Sequence, residues 1–301
     1  MGSVVAVDVG GTSVKAALVS ELPAREILQF PTPPAGGQDV VAAVISAIEA
    51  VGGSPEAIGL AVPGIVDETA GEVRQAKNLG WEDLPLAALV GERFGLPVGL
   101  GHDVRAAALA EYQLGAGQGA DRLVFVGIGT GISAAVLVGG RPLNGSAGEI
   151  GHGGAVSGDL CACGGRGCLE SYASAAAIAR RYAALTGQQV AGAAEVAQAV
   201  SARDRIAQEV WDDAVAGLAR ELAGIVRLLG EVRIVIGGGL SLAGPALLDP
   251  LRETVQALLT VHPAPEILPA AFGDRAGIHG AAMLARRQLA RHAGEVAATT
   301  G

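Results

Sequence analysis

Three cysteines and one histidine form the densest cluster of reactive side chains in the sequence. Cys161, Cys163 and Cys168 are separated by glycines that let the backbone wrap, and His152 precedes them. Three thiolates and one imidazole satisfy a tetrahedral zinc ion, and four protein ligands make such a zinc structural. The Cys-x-Cys spacing argues against three unrelated buried thiols, and an odd cysteine count argues against a disulfide framework.

Two other segments each combine an apolar run, a turn of glycine and threonine, and a second apolar run. The turn residues are Gly10, Gly11 and Thr12 in the first segment, and Gly129, Thr130 and Gly131 in the second. Such turns expose backbone N–H groups to an anion, and threonine adds a hydroxyl donor. Asp8, at the end of the first apolar run, could hold a magnesium-bound water. A plain hairpin turn remains the alternative for either segment alone.

A third glycine run follows an apolar strand pattern and precedes a predicted helix. It contains Gly238 and Gly239. A backbone without side chains could lie against an adenine or a ribose at this point. An ordinary tight turn between strand and helix is the alternative.

Carboxylates that could handle a hydroxyl group stand at three places. Asp103 falls between a predicted strand and a predicted helix, where it could act as a base for phosphoryl transfer or as a helix cap. Positioning matters most in a loose phosphoryl-transfer transition state, so a weak base suffices. Glu149 and Glu170 flank the cysteine cluster, which would hold them in place for hydroxyl binding. A solvated surface charge is the alternative for both.

The surrounding sequence alternates predicted strands and helices over 301 residues, half of them apolar. This pattern favours two similar α/β halves with a cleft between them and a hinge near Asp103. The net charge of −9 comes without a Lys/Arg block, which argues against nucleic-acid binding. No apolar run approaches the length of about 20 residues that spans a bilayer, and no signal peptide is evident. We therefore expect a soluble, cytoplasmic protein without a membrane partner.

Together these segments resemble the ROK family (repressor, open reading frame, kinase) of the actin–hexokinase superfamily. The resemblance extends from Asp8 to Gly280 and rests on DVGGTSVK, PGIVD, AAALAE, GIGTGI, AGEIGH and CACGGRGCLE. It implies two actin-like ATPase-type domains, built on mixed five-stranded sheets with flanking helices, around a central cleft. The expected domains are 1–103 and 104–275, with helix 276–292 packed back on the first.

The resemblance also implies roles for individual residues. Asp103 would be the catalytic base. The sugar contacts would be Asn78, His102, Asp103, Glu149, His152 and Glu170. The nucleotide and its Mg²⁺ would be bound by Asp8, Gly10, Gly11, Thr12, Gly129, Thr130, Gly131, Gly238 and Gly239. A structural Zn²⁺ would be held by His152, Cys161, Cys163 and Cys168. His152 would serve metal and sugar through its two ring nitrogens.

The expected activity is ATP-dependent phosphorylation of a hexose, glucose to glucose 6-phosphate, by a homodimer or homotetramer. N-acetylmannosamine, N-acetylglucosamine, fructose, mannose and allose remain open as substrates. His102 replaces the usual Asn before the base, and the segment Asn78–Trp81 is one residue shorter than usual. A sugar sensor without catalysis is a second interpretation. A transcriptional repressor is a third, disfavoured because we expect no helix-turn-helix domain ahead of Asp8.

Overall fold

The computed structural model describes residues 2–143, 148–153, 160–161 and 163–299, with the backbone alone for 294–299. Ala147 and Ala162, which belong to two of the quoted segments, lie outside the described residues. The chain divides into two compact units. The first contains residues 2–110 and 275–299, and the second contains the described residues between 111 and 274.

The elements have the following bounds. The strands are β1 Val4–Val9, β2 Ser13–Val19, β3 Leu28–Pro31, β4 Ala57–Val62, β5 Ile65–Asp67, β6 Glu72–Ala76, β7 Trp81–Leu84, β8 Val98–His102, β9 Arg122–Ile128, β10 Ile132–Val138, β11 Arg141–Pro142, β12 Arg233–Gly237 and β13 Glu266–Pro269. The helices are α1 Gln38–Val51, α2 Leu86–Phe94, α3 Asp103–Leu114, α4 Glu170–Ala173, α5 Ala175–Thr186, α6 Ala193–Ser201, α7 Arg205–Leu229, α8 Pro245–Leu258 and α9 Ala276–Thr299.

The first unit is built on a mixed sheet in the order β3-β2-β1-β4-β8. Strands β1, β4 and β8 run parallel, whereas β2 and β3 are antiparallel to their neighbours. Helix α9 packs on β1, β4 and β8, and the residues of α1 share a core with the other face of the sheet. Both faces are covered, which explains the nearly continuous apolar runs of the parallel strands.

The parallel register places two predicted site segments at one edge of this sheet. Asp8 in β1 pairs with Ala61 in β4, and Ala61 pairs with Gly101 in β8. The carboxyl ends of parallel strands are where α/β sheets usually bind ligands. Asp103 begins α3 two residues beyond Gly101, so the first glycine turn and the predicted base leave the sheet from the same edge.

A small antiparallel sheet, in the order β5-β6-β7, belongs to the same unit. The sequence analysis did not predict this sheet, and helix α2 begins directly after it, at Leu86. Leu84 ends β7, and Pro85 occupies the position before the helix. The strands are three to five residues long and only partly buried, so their pattern resembles that of a loop.

The second unit repeats the plan with a mixed sheet in the order β11-β10-β9-β12-β13. Strands β9, β12 and β13 run parallel, and the 25-residue helix α7 contributes more residues to the core than any other helix of this unit. Its first turn is capped by Asp204, which accepts a hydrogen bond of 2.8 Å from the Ala207 N–H. The two mixed five-stranded sheets with flanking helices confirm the predicted fold class. Within the described residues, none of the helices has the length and apolar character needed to cross a membrane.

Candidate active site and metal centre

The first glycine turn joins β1 to β2 and is held by backbone hydrogen bonds. The Gly10 N–H donates to the Ser13 carbonyl at 2.8 Å, and the Thr32 N–H donates to the Thr12 carbonyl at 3.1 Å. The Thr32 hydroxyl donates to the Gly10 carbonyl at 2.6 Å. The carbonyls are thereby occupied from inside the unit, which fixes the conformation of the turn. This is a suitable framework for an anion that binds backbone N–H groups.

Asn78 lies beside this turn. Its Nδ2 atom is 3.2 Å from the position that a Cβ atom would take on Gly11. A turn of 3-10 helix, Lys77–Leu79, carries Asn78, and the Leu79 carbonyl accepts from the Gly37 N–H at 2.7 Å. The Trp81 indole N–H donates to the Gly37 carbonyl at 2.9 Å. The segment that follows Asn78 is therefore anchored to Gly37 at two points.

Asp8 lies near the start of helix α9. A Cβ atom on Gly277 would come within 2.5 Å of Asp8 Oδ2, so glycine permits the close approach. The amino end of a helix carries partial positive charge, which stabilises a carboxylate. The partly buried carboxylate near the end of β1 therefore lies beside the start of a helix, at the position predicted for magnesium binding.

Asp103 is the first residue of α3, and its side chain is 29% exposed. Its Oδ1 atom accepts a hydrogen bond of 2.7 Å from the Val104 N–H. An N-cap would instead receive the N–H of the second or third residue of the helix. The expected cap bond is therefore absent from the described contacts of Asp103, and the carboxylate is held by its own neighbour.

His102, a predicted sugar contact, is buried beside Asp103. Its side chain is 8% exposed, and its Nδ1 atom lies 3.3 Å from Asp103 Oδ1. The distance is short enough for an ion pair, but the angle is unsuitable, and Nδ1 has no hydrogen-bond partner among the described residues. His102 Nδ1 and Asp103 Oδ1 therefore do not form a hydrogen bond, because hydrogen bonds weaken steeply when they bend.

A buried ion pair adjoins this junction and was missed by the sequence interpretation. Glu68 Oε1 accepts from Arg105 Nε at 2.7 Å and from the His102 backbone N–H at 3.4 Å. The Arg105 side chain is 6% exposed and that of Glu68 is 25% exposed. The available signal was Arg105 itself, an arginine within a run of alanines on a predicted buried helix.

The second glycine turn, between β9 and β10, is braced by Glu170. The Gly129 N–H donates to the Gly131 carbonyl at 2.9 Å, and the Ala175 N–H donates to the Gly129 carbonyl at 2.9 Å. Glu170 Oε2 accepts from the Ile132 N–H at 2.9 Å. The predicted sugar ligand thus also supports the predicted phosphate turn, a role that the sequence interpretation missed.

The third glycine run lies beside the second within this unit. Gly127 pairs with Gly237 across β9 and β12, so both runs leave the sheet at one edge. Gly238 has φ of +76°, and a Cβ atom there would collide with the Ile128 carbonyl. Nothing described lies within 4 Å of a Cβ atom on Gly239, and Thr130 is exposed. The backbone at Gly239 is therefore open to a flat ligand, whereas Gly238 packs against the Ile128 backbone.

The four predicted zinc ligands are gathered in one place. Their ligand atoms all lie within 4.8 Å of one another. The Cys163 and Cys168 sulfurs are 3.7 Å apart, and the Cys161 sulfur is 3.8 Å from His152 Nδ1. Two thiolates on a tetrahedral zinc with bonds of about 2.3 Å stand about 3.8 Å apart. The set therefore lies close to the spacing that a tetrahedral zinc ion requires.

The thiols differ in acidity. The Gly165 N–H, followed by the hydrogen bonds to the neighbouring thiols, holds the pKa of Cys163 below its usual value. Burial, followed by the hydrogen bond to Cys163, raises the pKa of Cys168 to about 12. Three adjacent thiolates need a cation to compensate their charge, so metal binding would release protons.

His152 and Glu149 lie together at the rim of this cluster. His152 turns Nδ1 toward the Cys161 sulfur, and its Nε2 lies 3.9 Å from Glu149 Oε2. Both side chains are partly exposed, at 34% and 46%. One ring nitrogen faces the cysteines and the other faces a carboxylate, which fits the predicted division between metal and sugar.

Glu111 is a buried carboxylate that the sequence interpretation did not single out. It is fully buried and accepts from the backbone N–H groups of Ala116 at 2.9 Å, Ala271 at 3.0 Å and Phe272 at 2.9 Å. It joins the segment after α3 to the segment that precedes α9. Its contacts are structural, and the only sequence signal was a glutamate within an alanine-rich helix.

Comparison with known proteins identifies the relatives of this chain. A family model described as the ROK family matches residues 4–288. A glucokinase from Streptomyces coelicolor is 34% identical over 315 residues, covering 95% of this chain and 98% of that protein. The structure of a ROK family glucokinase from Streptomyces griseus in complex with glucose and AMPPNP is 32% identical, with a TM-score of 0.86, covering 95% and 100% of the two chains. A ROK hexokinase from Thermus thermophilus is 33% identical, with a TM-score of 0.81, covering 96% and 99%.

Proposed function

Because the chain belongs to the ROK family, we propose that it is a hexose kinase that transfers the terminal phosphoryl group of ATP to glucose. One observation carries the proposal. Asp103 presents a partly exposed carboxylate at the start of α3, on the sheet edge that also bears the first glycine turn. A base and a phosphate-binding turn on one edge are the parts that phosphoryl transfer needs.

Asp103 acts in this proposal as the base. A sugar hydroxyl donates a hydrogen bond to the Asp103 carboxylate, and its oxygen attacks the terminal phosphorus of ATP. The new O–P bond forms as the bond to the ADP oxygen breaks, and the hydroxyl proton passes to Asp103. The transition state of such transfers is loose, so correct positioning contributes more than basicity.

The glycine turns bind the nucleotide. The N–H groups of Gly10, Gly11 and Thr12 and of Gly129, Thr130 and Gly131 would hold its phosphates, and Gly238 and Gly239 would receive its adenosine. Asp8 would hold the Mg²⁺ ion through water, and that ion, when bound, neutralises charge on the phosphates. The fixed turn at Gly10 and the helix-stabilised Asp8 carboxylate support this assignment.

The sugar would be bound by Asn78, His102, Asp103, Glu149, His152 and Glu170. The 3.9 Å approach of Glu149 to His152 supports a shared hydroxyl site at that point. The four zinc ligands would hold a structural Zn²⁺ that fixes the His152 ring. A homodimer or homotetramer in the cytoplasm remains the expected assembly and location, and light scattering after size-exclusion chromatography measures the assembly.

A coupled assay for ADP over a panel of hexoses tests the proposal. We expect ADP release to require both sugar and Mg²⁺, with glucose giving the highest kcat/KM and a sugar phosphate detected by mass spectrometry. Binding of glucose without ADP release would contradict the proposal and favour the sugar sensor. A higher kcat/KM for N-acetylmannosamine or another of the candidate sugars would support the kinase activity and replace glucose as its substrate.

A further inference from the structure

The turn between β5 and β6 is fixed by Asp67. Its Oδ1 atom accepts from the N–H groups of Ala70 at 2.9 Å and Thr69 at 3.2 Å. Its Oδ2 atom accepts from Arg74 at 3.2 Å. These partners, the Ala70 N–H first, hold the pKa of Asp67 below its usual value. Asp67 is therefore charged at neutral pH, and the turn presents its next residue, Glu68, from a constrained backbone.

Glu68 uses one oxygen atom for two contacts at the start of α3. Oε1 accepts from Arg105 Nε at 2.7 Å and from the backbone N–H of His102 at 3.4 Å. His102 directly precedes the first helical residue, Asp103. The N–H groups at the start of a helix lack partners within the helix, and a carboxylate there is favoured by the helix dipole.

The ion pair thus spans the junction that carries the predicted base. Arg105 stands two residues after Asp103, and the His102 N–H stands one residue before it. Both are fastened to the same carboxylate, and the Arg105 side chain is almost wholly buried. A change in Glu68 would let the backbone on either side of Asp103 shift, although Glu68 has no described contact with the Asp103 carboxylate.

We propose that Glu68 and Arg105 are positioning residues for Asp103, which set where its carboxylate meets the sugar hydroxyl. The proposal rests on the proposed function of Asp103 as the base. A displacement of about 1 Å in a reacting group can lower turnover by about 100-fold. A positioning residue should therefore change kcat more than KM, and its effect should disappear when Asp103 no longer acts as a base.

Glu68→Gln and Arg105→Lys are the first variants. Each keeps a hydrogen-bonding side chain of similar length, whereas Glu68→Gln removes the charge and Arg105→Lys removes the planar guanidinium. We expect kcat to fall about tenfold in each, within the loss of up to about 100-fold that misplacement can cause. We expect the KM values for glucose and ATP to change less than about twofold, as an interaction made mainly in the transition state requires. Glu72→Gln, on the same small sheet and paired with Arg74 at 2.7 Å, is the matched control and should keep kcat.

A double-mutant cycle separates positioning from general support. In the Asp103→Asn background, adding Glu68→Gln should change the residual kcat by less than about twofold, because coupled residues are not additive. Urea unfolding of each variant, with zinc content measured, shows whether the fold is intact. An unchanged kcat in Glu68→Gln, or a full additional loss in the double variant, would overturn the positioning role. Near-normal turnover in Asp103→Asn alone would instead overturn the proposed function of Asp103, on which the positioning role depends.

Discussion

Asp103 receives one backbone hydrogen bond, from the Val104 N–H at 2.7 Å, and this bond orients its carboxylate. The nearest described side chain, His102, meets it at an angle unsuited to a hydrogen bond. The carboxylate is therefore held at one oxygen by the start of its own helix. This arrangement suits a group that must accept a proton from a bound hydroxyl.

Replacing this base should affect catalysis far more than binding. We expect Asp103→Asn to lower kcat by about 100-fold or more, the usual contribution of a positioned base. The amide keeps the size and one hydrogen-bonding oxygen, so the dissociation constant for glucose should change by less than about fivefold. Steady-state kinetics and calorimetry measure the two effects. A variant with normal kcat would show that Asp103 only orients the start of α3.

His102 stands where the resemblance to the family implies an Asn, and its side chain is buried beside Asp103. An imidazole with Nδ1 3.3 Å from Asp103 Oδ1 would also set the geometry of that neighbour. We expect His102→Asn to change kcat and the preference among hexoses by severalfold, because Asn has a shorter reach. Kinetics on glucose, mannose and N-acetylmannosamine test this. Equal ratios in variant and parent would limit His102 to filling space.

The cysteine cluster should bind about one zinc per chain, as a complete set of four protein ligands implies. Cys163→Ala should lose the metal and lower the melting temperature together, because three ligands hold zinc more weakly and the ligand segment depends on it. Metal analysis and calorimetry on the same preparation test both effects. A folded and active protein without zinc would contradict the assignment.

At the scale of elements, the structure shows which patterns were readable. The apolar runs of β1, β4, β9 and β12 are buried on both faces, and long α7 has a strong helical pattern. The local sequence patterns therefore predicted these elements correctly. Strands β5 to β7 were missed because they are short and stabilised by pairing with each other, which no local pattern records. The ion pair of Glu68 was missed for the same reason, since its partner Arg105 lies 37 residues away.

Whether a feature of the candidate site could be predicted depended in the same way on how close its residues are in the sequence. Spacing alone predicted that His152, Cys161, Cys163 and Cys168 lie together, because the four are close in sequence, and the structure brings their ligand atoms within 4.8 Å of one another. The second role of Glu170 depends on a contact with Ile132, 38 residues distant, and was not predictable from either segment alone. The sequence predicted correctly that Asp103 lies at the junction of a strand and a helix. It did not predict that the Val104 N–H would be the hydrogen-bond partner of the carboxylate.

In the Glu111 clamp, one buried carboxylate accepts hydrogen bonds from three backbone N–H groups and joins the segment after α3 to the segment before α9. We expect Glu111→Gln to lower the free energy of unfolding by about 2–4 kcal/mol, because a buried amide leaves donors unmatched where a carboxylate accepted three N–H groups. Gln113→Ala, exposed on the same helix, should change it by less than about 0.5 kcal/mol. Urea unfolding measures both. Equal stability of the two variants would show that the clamp contributes nothing.

At the scale of the whole molecule, the chain returns to its first unit at the end of its length. Helix α9 begins at Ala276 and packs on β1, β4 and β8, which belong to the first third of the sequence. The first unit is therefore complete only when residues from both ends of the sequence are present. Such long-range contacts slow folding, and they make the α9 contacts a sensitive point for the stability of that unit.

His279 is buried within α9, with an exposed fraction of 1%, and its Nδ1 atom accepts from the Ala24 N–H at 3.3 Å. Burial first, and the charge of Arg275 second, hold the pKa of His279 below its usual value. The folded protein therefore keeps this imidazole neutral at a pH where the unfolded chain, with a pKa of about 6.5, already binds a proton. Between these two pKa values the unfolded state binds more protons, so stability must fall as the pH falls.

The stability that His279 contributes is present above about pH 6.5 and is lost as the pH drops toward the lowered folded-state pKa. His279→Asn places an oxygen near the position of Nδ1 and does not titrate. We expect its free energy of unfolding to decline less than that of the parent between about pH 6.5 and pH 5, a window set by the unfolded-state pKa. Urea unfolding at several pH values, with zinc content checked at each, measures the difference. Carboxylates contribute alike to both proteins, so parallel curves would show that His279 is protonated in the folded state as readily as in the unfolded chain.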